Sequence, residues 1–480
     1  MLWKHYSSVT HDELLIAEGR PRPAARKVSD FIEALGTDEL RSRQRAAAAE
    51  IRAEGITFTV VEEHGNLDRE WPFDVIPRVM SAREWRRIEL GLAQRLKALN
   101  ALIEDLYNEQ RVVKDAILPT SVLETSRFFL AACRGMHPRF GVWAHICGSD
   151  LVRDADGTLY VLEDNLRVPS GVSYMLENRN VSKRVFPELF ADQSIEPVDG
   201  YTSRLHALLV SLAPGIDGQP KVVLLTPGVQ NSAYFEHSYL AQQMGIELVE
   251  GSDLVVRDDR VYTRTIAGME RVDVIYRRVG DEYLDPEVFK PDSLIGCPGL
   301  MRAWREGHVA LVNAPGAGVA DDKLVYSYVP ELIRYYLGDD PILPNVPTLR
   351  LFEEEDRRRV LADLRHFVVK PANESGGYGV VVGSKASDKE LAECRERVEA
   401  DPRNFIAQPI VQLSTAPTLC EDGIEPRHLD LRPFILSAAD TYVTRGGLTR
   451  VALRKGSLVV NSSQGGGSKD TFVVDDAGEA

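Results

Sequence analysis

The chain has little of what would assign it quickly. Its 480 residues hold five cysteines (Cys133, Cys147, Cys297, Cys394 and Cys420), scattered and without a CxxC pair. An odd, sparse set predicts reduced thiols and a cytoplasmic setting, not a disulfide framework. The ten histidines show no HExxH or HxxxH spacing, so a histidine metal centre has no support. No apolar run approaches the ~18–20 residues of a membrane span, and "MLWKHYSSVTHDELL" has no signal-peptide core. A net charge of −15 gives no basic face for nucleic acid. No GxxxxGK[ST] phosphate loop occurs anywhere.

What remains is an ordinary globular composition, 44% apolar and 27% charged, over a length that predicts roughly two to four domains. The first ~130 residues read as mostly helical. Ser81 and Glu84 have capping-box spacing. Trp85, Ile88, Leu92, Leu96, Leu99, Ile103 and Leu106 then mark one face of a long helix. "RQRAAAAEIRAEG" predicts a helix ended by Gly55. "GSDLVRDADGTLYVLEDN" predicts a hairpin turning at 154–157. Between 218 and 313 strands and helices alternate, an α/β arrangement with a partly parallel sheet. The tail "SSQGGGSKDTFVVDDAGEA" reads as a loop and a frayed terminus.

Two stretches carry chemistry. In "LYVLEDNLRVPSG", Glu163 and Asn165 sit two apart on a strand, so they share a face and can offer oxygens to a hard cation such as Mg²⁺. Asp150 lies on the paired strand. About 200 residues later, "FVVKPANESGGYGVVVG" puts Lys370 at the end of an apolar strand, before a loop with Ser375, Gly376, Gly377 and Gly379. Glycines let backbone N–H groups approach phosphate oxygens, and the lysine adds a point charge. The loop alone reads equally as a structural turn; the lysine favours phosphate. In "RHLDLRPFIL", Asp430 and Arg432 share a strand face. Arg432 suits either a transferred phosphoryl group or a buried Asp–Arg pair. Lys323 starts a helix, where a surface lysine is the default.

Taken in order, these elements resemble the ATP-grasp superfamily, with the metal-binding strands moved ahead of the lysine and glycine loop. The chain is more closely similar to the circularly permuted ATP-grasp type 2 family, related to glutathionylspermidine synthetases. "EDNLRVPSGVSYMLENR", "DVIYRRVGDEYLDP", "LDLRPF", "GGLTRVA" and "NSSQGGGSKDT" carry the likeness.

The resemblance implies an α/β (α+β) permuted ATP-grasp fold. It divides into a mostly helical region at 1–135, a metal-binding part at 136–200, a Rossmann-like substrate domain at 201–320 and ATP-grasp lobes at 321–480. It implies ATP and Mg²⁺ as cofactors. Asp150, Glu163 and Asn165 would hold the metal, Lys323, Lys370 and the 373–379 loop the phosphates, and Gln408 and Ile410 the adenine. Arg432 would stabilise the transferred phosphoryl group. Arg278, Arg167, Ser170 and Gly171 would face the substrate.

The implied reaction is ATP-dependent joining of a small-molecule or peptide carboxylate to an amine through an acyl phosphate. A phosphotransferase, or a nucleotide-binding protein without turnover acting with a partner, stays open beside it. A separate helical partner of the alpha-E type is a further expectation. One departure stands out. Glutathionylspermidine enzymes place an arginine just before the metal aspartate, and here "AHICGSD" has none. Arg432, Arg278 and Arg167 are the candidates to supply that charge.

Overall fold

Ser81 starts the long helix as its spacing predicts, its hydroxyl accepting a hydrogen bond from Glu84 N at 3.1 Å. The helix runs Ala82–Tyr107, and its seven predicted apolar positions are all buried. Glu84 does not complete the reciprocal cap; its carboxylate meets Arg153 instead. The structure is a computed structural model that describes residues 2–16, 19–62, 65–215, 218–374, 379–461 and 465–475.

The helix backs a seven-stranded sheet. The sheet runs, in spatial order, Phe73–Ser81, Gly467–Val474, Thr441–Val451, Gly423–Ser437, Ile146–Arg153 and Leu159–Asn165, while Thr415–Cys420 pairs with Gly423–Ser437. All pairings are antiparallel except the parallel one between Phe73–Ser81 and Gly467–Val474. Two strands of this sheet correct the sequence reading, as does the separate hairpin of Thr57–Glu62 and Gly65–Glu70. Phe73–Ser81 lies within the stretch read as mostly helical. Gly467–Val474, read as loop and frayed end, is an interior strand buried along its whole length. Its charges misled because each is paired. Lys469 meets Asp74 and donates to Ile76 O at 3.0 Å and Pro417 O at 2.9 Å. Asp470 accepts from Arg179 Nε at 2.8 Å. Polar residues survive burial when so partnered.

Residues 222–312 form the α/β layer. Its sheet has the order Ala310–Val312, Val274–Arg277, Val222–Leu225, Glu247–Val249, every neighbour parallel. Helix Tyr234–Met244 lies in its first crossover and closes at Gly245, φ +66°. A small antiparallel sheet holds the lysine strand Phe367–Pro371 between Val381–Val382 and Phe405–Pro409, with Leu349–Arg350 at the edge. It packs its own core of Val369, Phe405, Ala407, Val360 and Val398. Among the described residues no helix is long and apolar enough to cross a membrane.

Candidate functional site

The predicted hairpin forms, closed by Asp154 N to Thr158 O at 3.0 Å and Gly157 N to Asp154 O at 2.9 Å. Its register sets Asp150 opposite Glu163 and Gly148 opposite Asn165. Strand alternation divides "EDN" between two faces. Asp164 faces the long helix, accepting from Arg95 Nε at 2.7 Å and Ser149 Oγ at 2.8 Å. Glu163 and Asn165 share the other face. Asn165 Nδ2 donates to Gly148 O at 3.1 Å, which fixes the amide and leaves Oδ1 as its uncommitted acceptor.

Strand Gly423–Ser437 lies beside the hairpin and brings Arg432 onto Asp150, with Nε at 2.5 Å from Oδ1 and Nη2 at 2.8 Å from Oδ2. Arg450, cross-strand from Asp430, donates Nη2 to Asp150 Oδ2 at 2.7 Å and Nε to Asp430 Oδ1 at 2.9 Å. Two carboxylates and two guanidiniums thus form one buried cluster. Burial alone would raise the Asp150 carboxyl, but Arg432 and Arg450 hold it well below the usual range. Asp430 goes the other way: burial, helped by the charge of Asp150, raises it despite Arg450.

The lysines approach from the opposite side. Short helix Lys323–Tyr326 stands between the hairpin and the lysine strand. Tyr326 Oη donates to Val161 O at 2.6 Å, and Lys323 N donates to Ala372 O at 3.1 Å. Lys323 Nζ lies 3.6 Å from Glu163 Oε2 and donates to Glu374 O at 2.6 Å. The Lys370 ammonium makes no hydrogen bond or ion pair among the described residues. Burial, aided by the charge of Lys323, brings its ammonium down to about 8 against the opposing pull of Glu163 and Asp150.

Ser375, Gly376 and Gly377 lie outside the described residues. Gly379 has φ +70°, and a Cβ there would stand 3.0 Å from Pro371 Cγ, so glycine is required. Gln408, opposite Val368, is buried and donates Nε2 to Thr348 Oγ1 at 3.0 Å. Ile410 N donates to His366 O at 3.3 Å.

The remaining predicted residues take internal partners. Arg167 Nε donates to Asp321 Oδ2 at 2.9 Å, and its guanidinium lies 4.4 Å from the Phe128 ring centroid. Ser170 O accepts from Arg432 Nη1 at 3.2 Å. Gly171, φ +113°, caps helix Val172–Val185. Arg278 is 4% exposed; it donates Nη1 to Pro169 O at 2.5 Å and Nη2 to Glu236 Oε1 at 2.9 Å.

A family model described as circularly permuted ATP-grasp type 2 matches residues 77–452. The chain belongs to that family. Among this ATP-grasp chain's relatives, an uncharacterised protein of Synechocystis sp. is 55% identical over 465 residues, covering 97% of each chain. A Frankia alni protein, provisionally named a glutamate–cysteine ligase, is 42% identical over 98% of this chain and 55% of its own length. The solved apo structure of a glutathione synthetase-like effector from Globodera pallida matches with TM-score 0.57 and 11% identity over 90% of this chain and 96% of its own. That likeness shows the fold.

Family membership raises the question of a metal. Among the described residues no three His, Cys, Asp or Glu side chains form a metal cluster. The predicted set is two carboxylates and an amide, and three of the four lone-pair positions on Asp150 already accept guanidinium hydrogen bonds. Glu163 and Asn165 Oδ1 are hard oxygen donors on one face. They fit Mg²⁺ of the kind held by one or two side chains and completed by phosphate oxygens.

Sequence reasoning missed Arg450, although it lies inside "GGLTRVA". The available signal was charge arithmetic, since Asp150 and Asp430 buried together need more than one cation.

Proposed function

We propose that this ATP-grasp protein is an ATP-dependent ligase that joins a carboxylate to an amine. The observation that carries the reading is that two lysines gather at Glu163, Lys323 with its Nζ 3.6 Å from Oε2 and Lys370 close enough to feel the charges of Glu163, Asp150 and Lys323, while Asn165 shares the Glu163 strand face. This is the donor set a nucleotide triphosphate requires. Lys323 and Lys370 would hold phosphate oxygens as point charges, with Glu374 O beside Lys323 Nζ. The backbone at Gln408–Ile410 would take the adenine. Mg²⁺ held at Glu163 and Asn165, with Asp150 behind them, would neutralise phosphate charge.

Arg432 spends three of its five N–H groups on Asp150 and Ser170 O. The other two are available to the group in transfer. The acid's carboxylate oxygen attacks the γ-phosphorus and ADP leaves. The amine then attacks the acyl carbon, phosphate leaves, and the amine's proton passes to solvent or a base. The protein supplies alignment and charge rather than a nucleophile. The provisional name of the Frankia relative and the glutathione synthetase-like fold of the nematode effector agree with an acid–amine ligase.

The test is ADP release from Mg²⁺–ATP, screened over paired amino acids, small peptides and polyamines. Turnover should need both an acid and an amine. Release with one hydroxyl acceptor alone would make the protein a phosphotransferase.

A further inference from the structure

The turn Pro169–Gly171 is gripped from two sides. Towards the hairpin, Ser170 O accepts from Arg432. Towards the parallel sheet, the fully buried Glu236 takes hydrogen bonds on Oε2 from Gly171 N at 2.7 Å, Ser173 N at 3.2 Å and Ser173 Oγ at 3.0 Å. Its Oε1 takes Arg278 Nη2 at 2.9 Å, while Arg278 Nη1 holds Pro169 O at 2.5 Å. Backbone N–H groups at the N-terminus of the 14-residue helix Val172–Val185, a hydroxyl and a guanidinium make up the donor set of a carboxylate-binding cradle. This chain fills the cradle with its own glutamate.

We infer that Glu236 is a positioning residue: an internal carboxylate that locks the Pro169–Gly171 turn to the parallel sheet and thereby sets Arg432 for the nucleotide site. The inference rests on the ligase reading for the role of Arg432. Its consequence for substrate choice is that the acid's carboxylate does not enter this cradle, because Arg278 is already neutralised. The route is continuous. Glu236 and Arg278 fix the turn, the turn carbonyl orients Arg432 Nη1, and Arg432 clasps Asp150. The turn needs glycine at Gly171, where φ is +113° and a Cβ would meet Leu448 Cδ2 at 3.1 Å and Phe434 Cζ at 3.5 Å.

The experiment uses Glu236→Ala, which opens a carboxylate-sized space, with formate as the probe. Thermal unfolding of the full chain is followed in formate and in chloride at equal ionic strength, with and without Mg²⁺–ATP. In chloride the variant should lose at least tenfold in Mg²⁺–ATP affinity. Formate should raise its apo melting temperature and restore the ligand shift, with neither effect in the wild type. An unaltered Mg²⁺–ATP affinity in Glu236→Ala, or formate stabilisation without recovery of the ligand shift, would overturn the positioning role. A wild type that Mg²⁺–ATP does not shift would defeat the ligase reading, leaving the apo formate response to decide the cradle by itself. If Glu236→Ala does not fold, Glu236→Leu/Arg278→Met removes both charges together. That protein should fold and bind Mg²⁺–ATP at least tenfold more weakly, and wild-type affinity would again overturn the inference.

Discussion

Arg432 clasps Asp150 through two nitrogens, at 2.5 Å and 2.8 Å, across 282 residues of sequence. That contact separates the three predicted metal ligands by role. Asp150 is 1% exposed and shared with Arg450, while Glu163 is partly exposed beside Lys323. We predict that Asp150→Asn, which leaves the buried Arg450 and the largely covered Arg432 short of an anion, costs about 3–5 kcal/mol. Glu163→Gln should change apo stability by only ~0–1 kcal/mol and abolish the upward melting shift given by Mg²⁺–ATP. Urea unfolding of both variants, and thermal scans with and without ligand, check the pair.

Lys370 should bind phosphate as a cation. Lys370→Met removes a charge-assisted contact of ~1.5–3 kcal/mol, so ATP affinity should fall roughly tenfold or more. The pH dependence has a defined sign. Burial depresses the ammonium to about 8, and a bound phosphate favours the charged form. Wild-type affinity should therefore hold below that pH and decline as pH rises through it, with proton uptake on binding above it. Titration calorimetry in buffers of different ionisation enthalpy measures the uptake. Lys370→Met should show neither effect.

Glu13 is buried between Arg78 and Arg153, with Oε1 at 2.6 Å and 3.0 Å from their nitrogens. Burial raises its carboxyl, but the two arginines outweigh that and bring it down from 4.5 to about 2. The folded value lies below the unfolded one, so the stabilisation is complete above about pH 4.5 and is lost as pH falls towards 2. Glu13→Gln should cost about 3 kcal/mol at pH 7. The gap to wild type should close between those two pH values, as followed by urea unfolding across the range.

Lys469 sits wholly inside the large sheet against Asp74. Lys469→Met should destabilise by about 3–5 kcal/mol, because Asp74 is left buried without its cation. The double variant with Asp74→Asn should recover part of that loss. A single variant as stable as wild type would mean that the C-terminal strand is not held as described.

Local pattern was enough to read the long helix, the 154–157 hairpin, the alternating α/β region and the residue types of the site. Capping spacing, helical periodicity and strand alternation act over a few residues, so they are written directly in the chain. The order of motifs carried the permuted fold as well. Pairing across the large sheet was not legible. Gly467–Val474 looked like a loop because the charge partners of its lysine and aspartate, Asp74 and Arg179, lie hundreds of positions away. Arg450 gave no local sign of serving Asp150. Glu236 gave no local sign of its role, which appears only when the fold sets its carboxylate on Gly171 N. Sequence thus determined which groups the site contains, since side-chain chemistry and short-range periodicity are properties of the chain itself. Tertiary structure alone decided which carboxylate is clasped by arginine and which stands beside Lys323, because a buried charge takes its role from the partners the fold brings to it.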